Sequence, residues 1–136
     1  MQKREIKFRG KRKDNGEWVY GYIWIIPVLQ IHYILTGKID MRDCSIEKYE
    51  VDPASVGQYT GLRDKTGKEI YEGDILGKTS ETSGLSYRYT VEWDSENARF
   101  MARGKHFQEL VSDSLERCCE VIGNIYESPE LLEVGE

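Results

Sequence analysis

The segment at residues 85–93, LSYRYTVEW, constrains the fold most, because its side chains alternate strictly in character. Leucine, tyrosine, valine or tryptophan stands at every second position, and polar or charged residues stand between them. A period of two residues is typical of a β-strand with one face in the core and the other in water. A polar turn at residues 94–97 follows, and residues 98–103 alternate again, which predicts an antiparallel hairpin.

Similar short patterns recur along the chain, separated by turns that contain glycine, aspartate, asparagine or proline. Further strands are predicted at residues 5–9, 17–26, 30–35, 56–60, 120–126 and from Ile75 onwards. The 136 residues fit one domain. We therefore predict a single, mostly β domain over residues 1–136. Its short antiparallel strands would form a barrel-like sheet or a sandwich, with short helical turns at residues 53–55 and after Ser128.

Two segments are harder to interpret. Residues 39–50 mix charged and apolar side chains without a clear period, so they are predicted as a loop with a short strand near residues 49–51. Residues 107–115 are compatible with a strand and a turn or with a short helix. The strand at residues 17–26 is apolar on both faces, which predicts a central or sandwiched strand with its aromatic side chains in the core.

The charge is unevenly distributed. The chain has a net charge of −5, yet residues 1–13 contain seven basic residues against one acidic residue. This segment could bind nucleic acid, with phosphates on the basic side chains and bases stacked on an exposed aromatic ring. Pairing of these cations with the protein's own carboxylates is favoured, because the rest of the chain is acidic. The candidate contacts are Lys7, Arg9, Lys11, Arg12 and Lys13.

The cellular compartment is also constrained. The longest apolar run, at residues 23–29, is far shorter than the roughly 20 residues of a membrane-spanning helix. No apolar stretch follows the basic amino terminus, so no signal peptide is predicted. The three cysteines, Cys44, Cys118 and Cys119, form no disulfide framework in their spacing, which suits a reducing cytoplasm.

The segment at residues 56–76, VGQYTGLRDKTGKEIYEGDIL, places a charged turn between apolar positions. Its glycines are predicted to permit tight backbone turns, and its apolar residues to anchor the core. The turn either is a recognition loop or simply keeps a hairpin tip soluble. The candidate interaction residues are Arg63, Asp64, Lys65 and Lys68.

The sequence gives little support for a catalytic site or a metal-binding site. Glu72 and Asp74 could act as paired carboxylates, but no nucleophile or histidine is fixed beside them by a motif, and the same residues suit a turn. Adjacent Cys118 and Cys119 would point to opposite faces of a strand. His32 and His106 have no ligand spacing, and no glycine-rich phosphate motif is present. We therefore expect a protein that is not an enzyme and has no cofactor or metal.

Four blocks in this order resemble the YopX family of small phage and prophage proteins. They are REIKFRGKRKDNGEWVYGY, VGQYTGLRDKTGKEIYEGDIL, VEWDSENARF and EVIGNIYESPELL. The resemblance covers nearly the whole chain, apart from residues 39–50 and 80–84. It implies a mostly β fold built around a barrel-like sheet, and it supplies no catalytic or ligand-binding residues.

These observations leave three functional hypotheses. The first is a non-enzymatic interaction module of phage or prophage origin that binds a host or phage protein in the bacterial cytoplasm, with a homo-oligomer as one form. The second is a nucleic-acid-binding accessory protein that uses the basic amino-terminal hairpin. The third is an enzyme that uses Glu72 or Asp74.

Overall fold

The computed structural model describes residues 5–104, 108–110 and 117–132. The chain divides into two compact units, Met1–Tyr59 and Thr60–Glu136, which are described in turn. Of the segment at residues 107–115, residues 108–110 form a strand, as one of the two predicted alternatives had it. His106 and the rest of that segment lie outside the described residues.

The first unit is an antiparallel sheet with the strand order β4-β3-β2-β1-β5. Its strands are β1 (Phe8–Lys11), β2 (Trp18–Ile26), β3 (Ile31–Asp40), β4 (Ser45–Val51) and the start of β5 (Gly57–Arg63). Strand β5 continues into the second unit. Two 3-10 turns, Pro27–Leu29 and Pro53–Ser55, join strands of this unit. The second turn confirms the predicted helical turn, and Asp52 caps it by accepting a hydrogen bond from the amide of Ala54 at 3.0 Å.

The sheet of the first unit curls until β1 and β4 meet at one end. Arg12 pairs with Val51 in an isolated bridge, and the amide of Lys13 donates to the carbonyl of Glu50 at 3.0 Å. The concave side is filled by a small core of Val19, Ile34 and Val51. The convex side of β2 therefore points away from this core.

The predicted loop at residues 39–50 is wrong, because β3 and β4 form a long hairpin through this segment. A register shift between Leu35 and Ile39 breaks the alternation of β3. Beyond this shift, Ile39 and its cross-strand partner Ile46 are both exposed. A hairpin end that extends past the core buries neither face, so its sequence lacks the pattern of a half-buried strand.

The second unit contains a further antiparallel sheet with the strand order β10-β9-β8-β7-β11. The strands of this unit are β6 (Glu69–Tyr71), which neighbours β5, and β7 (Asp74–Thr79), β8 (Ser86–Asp94), β9 (Arg99–Arg103), β10 (Gln108–Leu110) and β11 (Glu120–Asn124). A 3-10 turn at Pro129–Leu132 follows β11. The buried core consists of Ile70, Leu76, Tyr89, Val91, Ala102 and Cys119.

The mostly β fold class is confirmed, with short antiparallel strands and short helical turns. The hairpin predicted around residues 94–97 is also confirmed, since β8 pairs with β9 from Thr90 to Asp94. Within the described residues neither sheet forms a closed barrel, because the bridge between β1 and β4 joins only their ends. In the same part of the chain, no helix has the length and apolar character needed to cross a membrane.

Candidate interaction surface

The convex face of β2 presents a row of aromatic side chains to solvent. Tyr20, Tyr22 and Trp24 follow one another at every second position, and their side chains are 46%, 60% and 46% exposed. We call these three residues the aromatic row. Their predicted place in the core is therefore wrong, and Val19, on the opposite face, packs in the core instead.

Glycines on the concave side explain which face of β2 is packed. A Cβ atom on Gly21 would lie 2.0 Å from the carbonyl oxygen of Leu35, and one on Gly10 would lie 2.9 Å from Cβ of Val51. Such close approaches leave no room for a side chain at these two positions. Because Gly21 shares its face with Val19, the glycine was a sequence signal that the tight, inner side of β2 is not the aromatic one.

Apolar surface continues from the aromatic row onto the neighbouring strand and the hairpin end. Trp24 pairs with Tyr33 of β3, and their ring centroids are 5.5 Å apart. In the 3-10 turn that joins β2 to β3, the side chains of Val28 and Leu29 are 89% and 62% exposed. Exposed aromatic and apolar side chains thus occur along one face of β2 and in the turn that follows it.

Basic side chains of β1 lie beside one end of the aromatic row. Arg9 pairs with Tyr20, and Lys11 pairs with Trp18, so their side chains share the convex face. The Arg9 guanidinium is buried, with Cζ 4.5 Å from the centroid of the Trp18 ring. Lys11 Nζ lies 5.7 Å from the same ring, and Lys7 Nζ lies 5.4 Å from the Tyr59 ring. These contacts have the geometry of cation–π interactions.

The other two basic candidates bind carboxylates of their own unit. Arg12 donates two hydrogen bonds to Asp14, at 2.9 and 2.7 Å, and also lies over the ring of Tyr49. The hydrogen bonds with Asp14 raise the pKa of Arg12, and the same bonds lower the pKa of Asp14. Lys13 forms an ion pair with Glu50 at 3.1 Å. Strand register and ring contacts place Lys7, Arg9 and Lys11 on the convex face, and Lys7 also forms an ion pair with Glu5 at 3.5 Å.

The charged turn between β5 and β6 contains residues of different kinds. Arg63 donates to the carbonyl of Gly67 at 3.0 Å and approaches Glu69 at 3.4 Å, whereas Lys65 and Lys68 are exposed. Asp64 is only 4% exposed, so its side chain is not part of the accessible tip. The structure thus separates Asp64 from the three basic residues predicted with it.

The side chain of Asp64 holds this turn and β11 in place. Its Oδ1 accepts hydrogen bonds from the amide and hydroxyl of Thr66 and from the amide of Lys68, at 2.7–2.9 Å. Its Oδ2 accepts from the amide of Val121 at 2.8 Å. Burial acts to raise the pKa of this carboxyl, but the hydrogen bonds outweigh it and the pKa is lowered.

The candidate catalytic carboxylates lie at the turn between β6 and β7. Asp74 is buried, and its Oδ2 accepts a hydrogen bond from the amide of Tyr71 at 2.7 Å. Glu72 is half-buried in the turn itself. The Sγ atoms of Cys118 and Cys119 are 3.8 Å apart and form no disulfide. Across residues 5–104, 108–110 and 117–132, no three histidine, cysteine or acidic residues have a geometry that could hold a metal ion.

Comparisons with known proteins identify the family. The crystal structure of protein EF1440 from Enterococcus faecalis is similar to this chain, with a TM-score of 0.65 and 25% sequence identity over 96% of this chain and 99% of that chain. No curated protein matches the sequence. The family model described as YopX protein matches residues 7–133. Since this match spans nearly the whole sequence, the chain belongs to the YopX family.

Proposed function

We propose that this is a phage- or prophage-encoded, non-enzymatic binding protein whose aromatic row contacts a protein partner. The exposure of Tyr20, Tyr22 and Trp24 on one regular strand is the observation that carries the proposal. Aromatic residues are enriched at protein interfaces, and continuous exposed apolar surface marks such sites. A regular strand also holds the three rings at fixed spacing, which lowers the entropic cost of binding.

Other features support parts of this proposal. The phage or prophage origin rests on the family, and three cysteines without a disulfide suit the reducing cytoplasm of a bacterial host. A binding role rather than catalysis is supported by Asp74, since its carboxylate is buried and accepts a backbone hydrogen bond within its own turn. The partner is a host or phage protein, or a second copy of this chain.

Charge insertion into the aromatic row tests the proposal. The double substitution Tyr22→Lys and Trp24→Lys should abolish partner binding, while thermal stability stays close to that of the wild type because both side chains are exposed. Leu85→Lys, at a position in the second unit that is 55% exposed, is the matched control. Light scattering measures the oligomeric state, and affinity capture from a bacterial host with mass spectrometry identifies other partners. Equal partner binding by the wild type and the double variant would show that the aromatic row is not the binding surface.

A second candidate function is binding of single-stranded nucleic acid on the same face. Lys7 and Lys11, on the same face as the exposed Tyr20, are the observation that favours it, because stacked bases need both aromatic rings and neighbouring cations. Arg9 is buried and is not expected to contact a phosphate. A salt titration with single- and double-stranded DNA tests this candidate. Binding at about 50 mM salt that weakens steeply as salt rises would support it. No binding at the lowest salt would exclude it, whereas apolar protein binding should persist at high salt.

A further inference from the structure

A cavity of about 790 Å³ lies in the second unit, where β7 ends and β8 begins. Its volume falls within the range of small-molecule sites in proteins, about 300–1,000 Å³. Lys65 and Lys78 line it, together with Arg117 from the segment before β11. We call these three residues the basic cluster. They come from three separate parts of the chain, and the fold brings them to one cavity.

The charge of the basic cluster contrasts with that of its surroundings. The second unit, residues 60–136, contains nine basic and sixteen acidic residues, a net charge of −7. The cavity nevertheless has four basic lining residues, the basic cluster and Arg88, against two acidic ones, Glu81 and Glu120. A concave, locally positive site on an acidic unit attracts an anion and repels cations.

Strand register separates the lining residues by face. Lys78 pairs with Tyr87, which places both side chains on the face that carries the core of this unit. Gly77 pairs with Arg88 on one side and with Glu120 on the other, which places Arg88 and Glu120 on the opposite face. Arg88 also has a structural partner, because it donates to the carbonyl of Leu131 at 2.7 Å. The face of Lys78 and Tyr87 is therefore the one that a ligand would use.

The cations of the basic cluster lack partners within the part of the chain that the structure describes. The side chains of Lys65, Lys78 and Arg117 form no ion pair or hydrogen bond with any residue that the structure describes. By contrast, Arg12, Lys13 and Arg63 all bind carboxylates. Three cations that line one cavity repel one another, and an anion with several oxygen atoms relieves this repulsion through charge-assisted hydrogen bonds.

The other lining residues narrow the ligand class. Ser80 and Thr82, in the loop after β7, also line the cavity, and their hydroxyl groups can donate to phosphate oxygens. Thr79 and Ser86 pair with each other and lie on the face of Arg88 instead. Tyr87 is half-buried and supplies an aromatic ring next to Lys78. We propose that this cavity binds a phosphate-bearing ligand of nucleotide size, with the phosphate on the basic cluster and a planar ring near Tyr87. This site lies in the second unit and shares no residue with the aromatic row.

Isothermal titration of the full chain with four probes tests the proposal: inorganic phosphate, AMP, ATP and a single-stranded oligothymidine. We expect ATP to bind, more tightly than AMP and phosphate, and the affinity to fall as salt is raised. Lys65→Ala, Lys78→Ala and Arg117→Ala should each weaken ATP binding by about tenfold. Lys68→Ala removes a cation from the same turn as Lys65 but outside the cavity lining, so it should leave the affinity unchanged. Thermal melting of every variant shows whether a loss of ATP affinity comes from a loss of stability. Lys78→Gln is included because it removes the charge but keeps a side chain of similar length.

The four titrations can support the phosphate site or overturn it. Oligothymidine binding that depends on the basic cluster, without ATP binding, would support the phosphate site and assign the phosphate to nucleic acid. No binding of any probe, or binding that is unchanged in all three alanine variants, would overturn the proposal. The double variant Tyr22→Lys and Trp24→Lys should retain ATP binding. The proposal for the cavity and the proposal for the protein interface are therefore tested independently.

Discussion

At the scale of single residues, Asp64 shows how a charge in a turn can be structural. Four donors from Thr66, Lys68 and Val121 surround its carboxylate, so the residue joins its own turn to a strand that begins more than fifty positions later. In the sequence it stands between Arg63 and Lys65 and resembles any solvated acid of a hairpin tip. Only its burial and its long-range partner reveal the difference.

Asp64→Asn should lower the free energy of unfolding by about 1–3 kcal/mol at neutral pH, because the amide group cannot accept at both ends. The folded-state pKa of Asp64 is lowered, so its stabilising contribution is present above the unfolded-state pKa of about 3.9. That contribution is lost as pH falls through the lower folded-state value. Urea unfolding between about pH 2 and pH 7 should therefore show a shallower acid loss in Asp64→Asn than in the wild type. Glu81→Gln, at an exposed loop position, is the control, and identical pH profiles would contradict the prediction.

At the scale of elements, the β3–β4 hairpin shows why an irregular pattern need not indicate a loop. Its strands extend to Asp40 and from Ser45, and the chain reverses through Cys44, whose φ angle is 60°. This left-handed conformation is unusual for a residue with a side chain. Cysteine gives no turn signal in a sequence, so the position of the reversal within the predicted loop was not visible there.

Cys44→Gly should raise the stability of the protein by up to about 1 kcal/mol, because glycine adopts this φ angle without steric strain. Cys44→Val should lower stability by about 1 kcal/mol or more, since a β-branched residue is strained in this region. Thermal and urea unfolding of the two variants measure the difference. Because Cys44 is exposed, neither substitution changes core packing. Equal stability of the glycine and valine variants would contradict the assigned turn.

At the scale of the whole molecule, β5 carries the chain from one compact unit into the other. Its first residues pair with β1, and Thr60 donates to the carbonyl of Ile70 at 2.8 Å in the second unit. The charge differs between the two units as well. The first, residues 1–59, has ten basic and eight acidic residues, whereas the second is strongly acidic. That the whole chain is a single domain remains a prediction.

If the chain is one domain, both units should unfold in a single transition, because melting of either removes hydrogen bonds from β5. Trp18 and Trp24 lie in the first unit and Trp93 in the second, so tryptophan fluorescence can report on each separately. Trp93→Phe leaves reporters only in the first unit, and the double substitution Trp18→Phe and Trp24→Phe leaves one only in the second. For each variant, urea unfolding is followed by tryptophan fluorescence, which reports on one unit, and by circular dichroism, which reports on the whole chain. The two curves of one variant should have the same midpoint. Two separated midpoints within one variant would show independent domains.

The sequence by itself determined the local features of this protein. Alternation predicted β8 and β9, and Asp52 with Pro53 predicted a capped turn, because neighbouring residues alone set these patterns. Tertiary structure decided which apolar face of β2 is buried, since curling of the sheet fills only the concave side. It also brought Lys65, Lys78 and Arg117 to one cavity. Burial and long-range proximity depend on contacts between distant segments, which no local pattern of residues records.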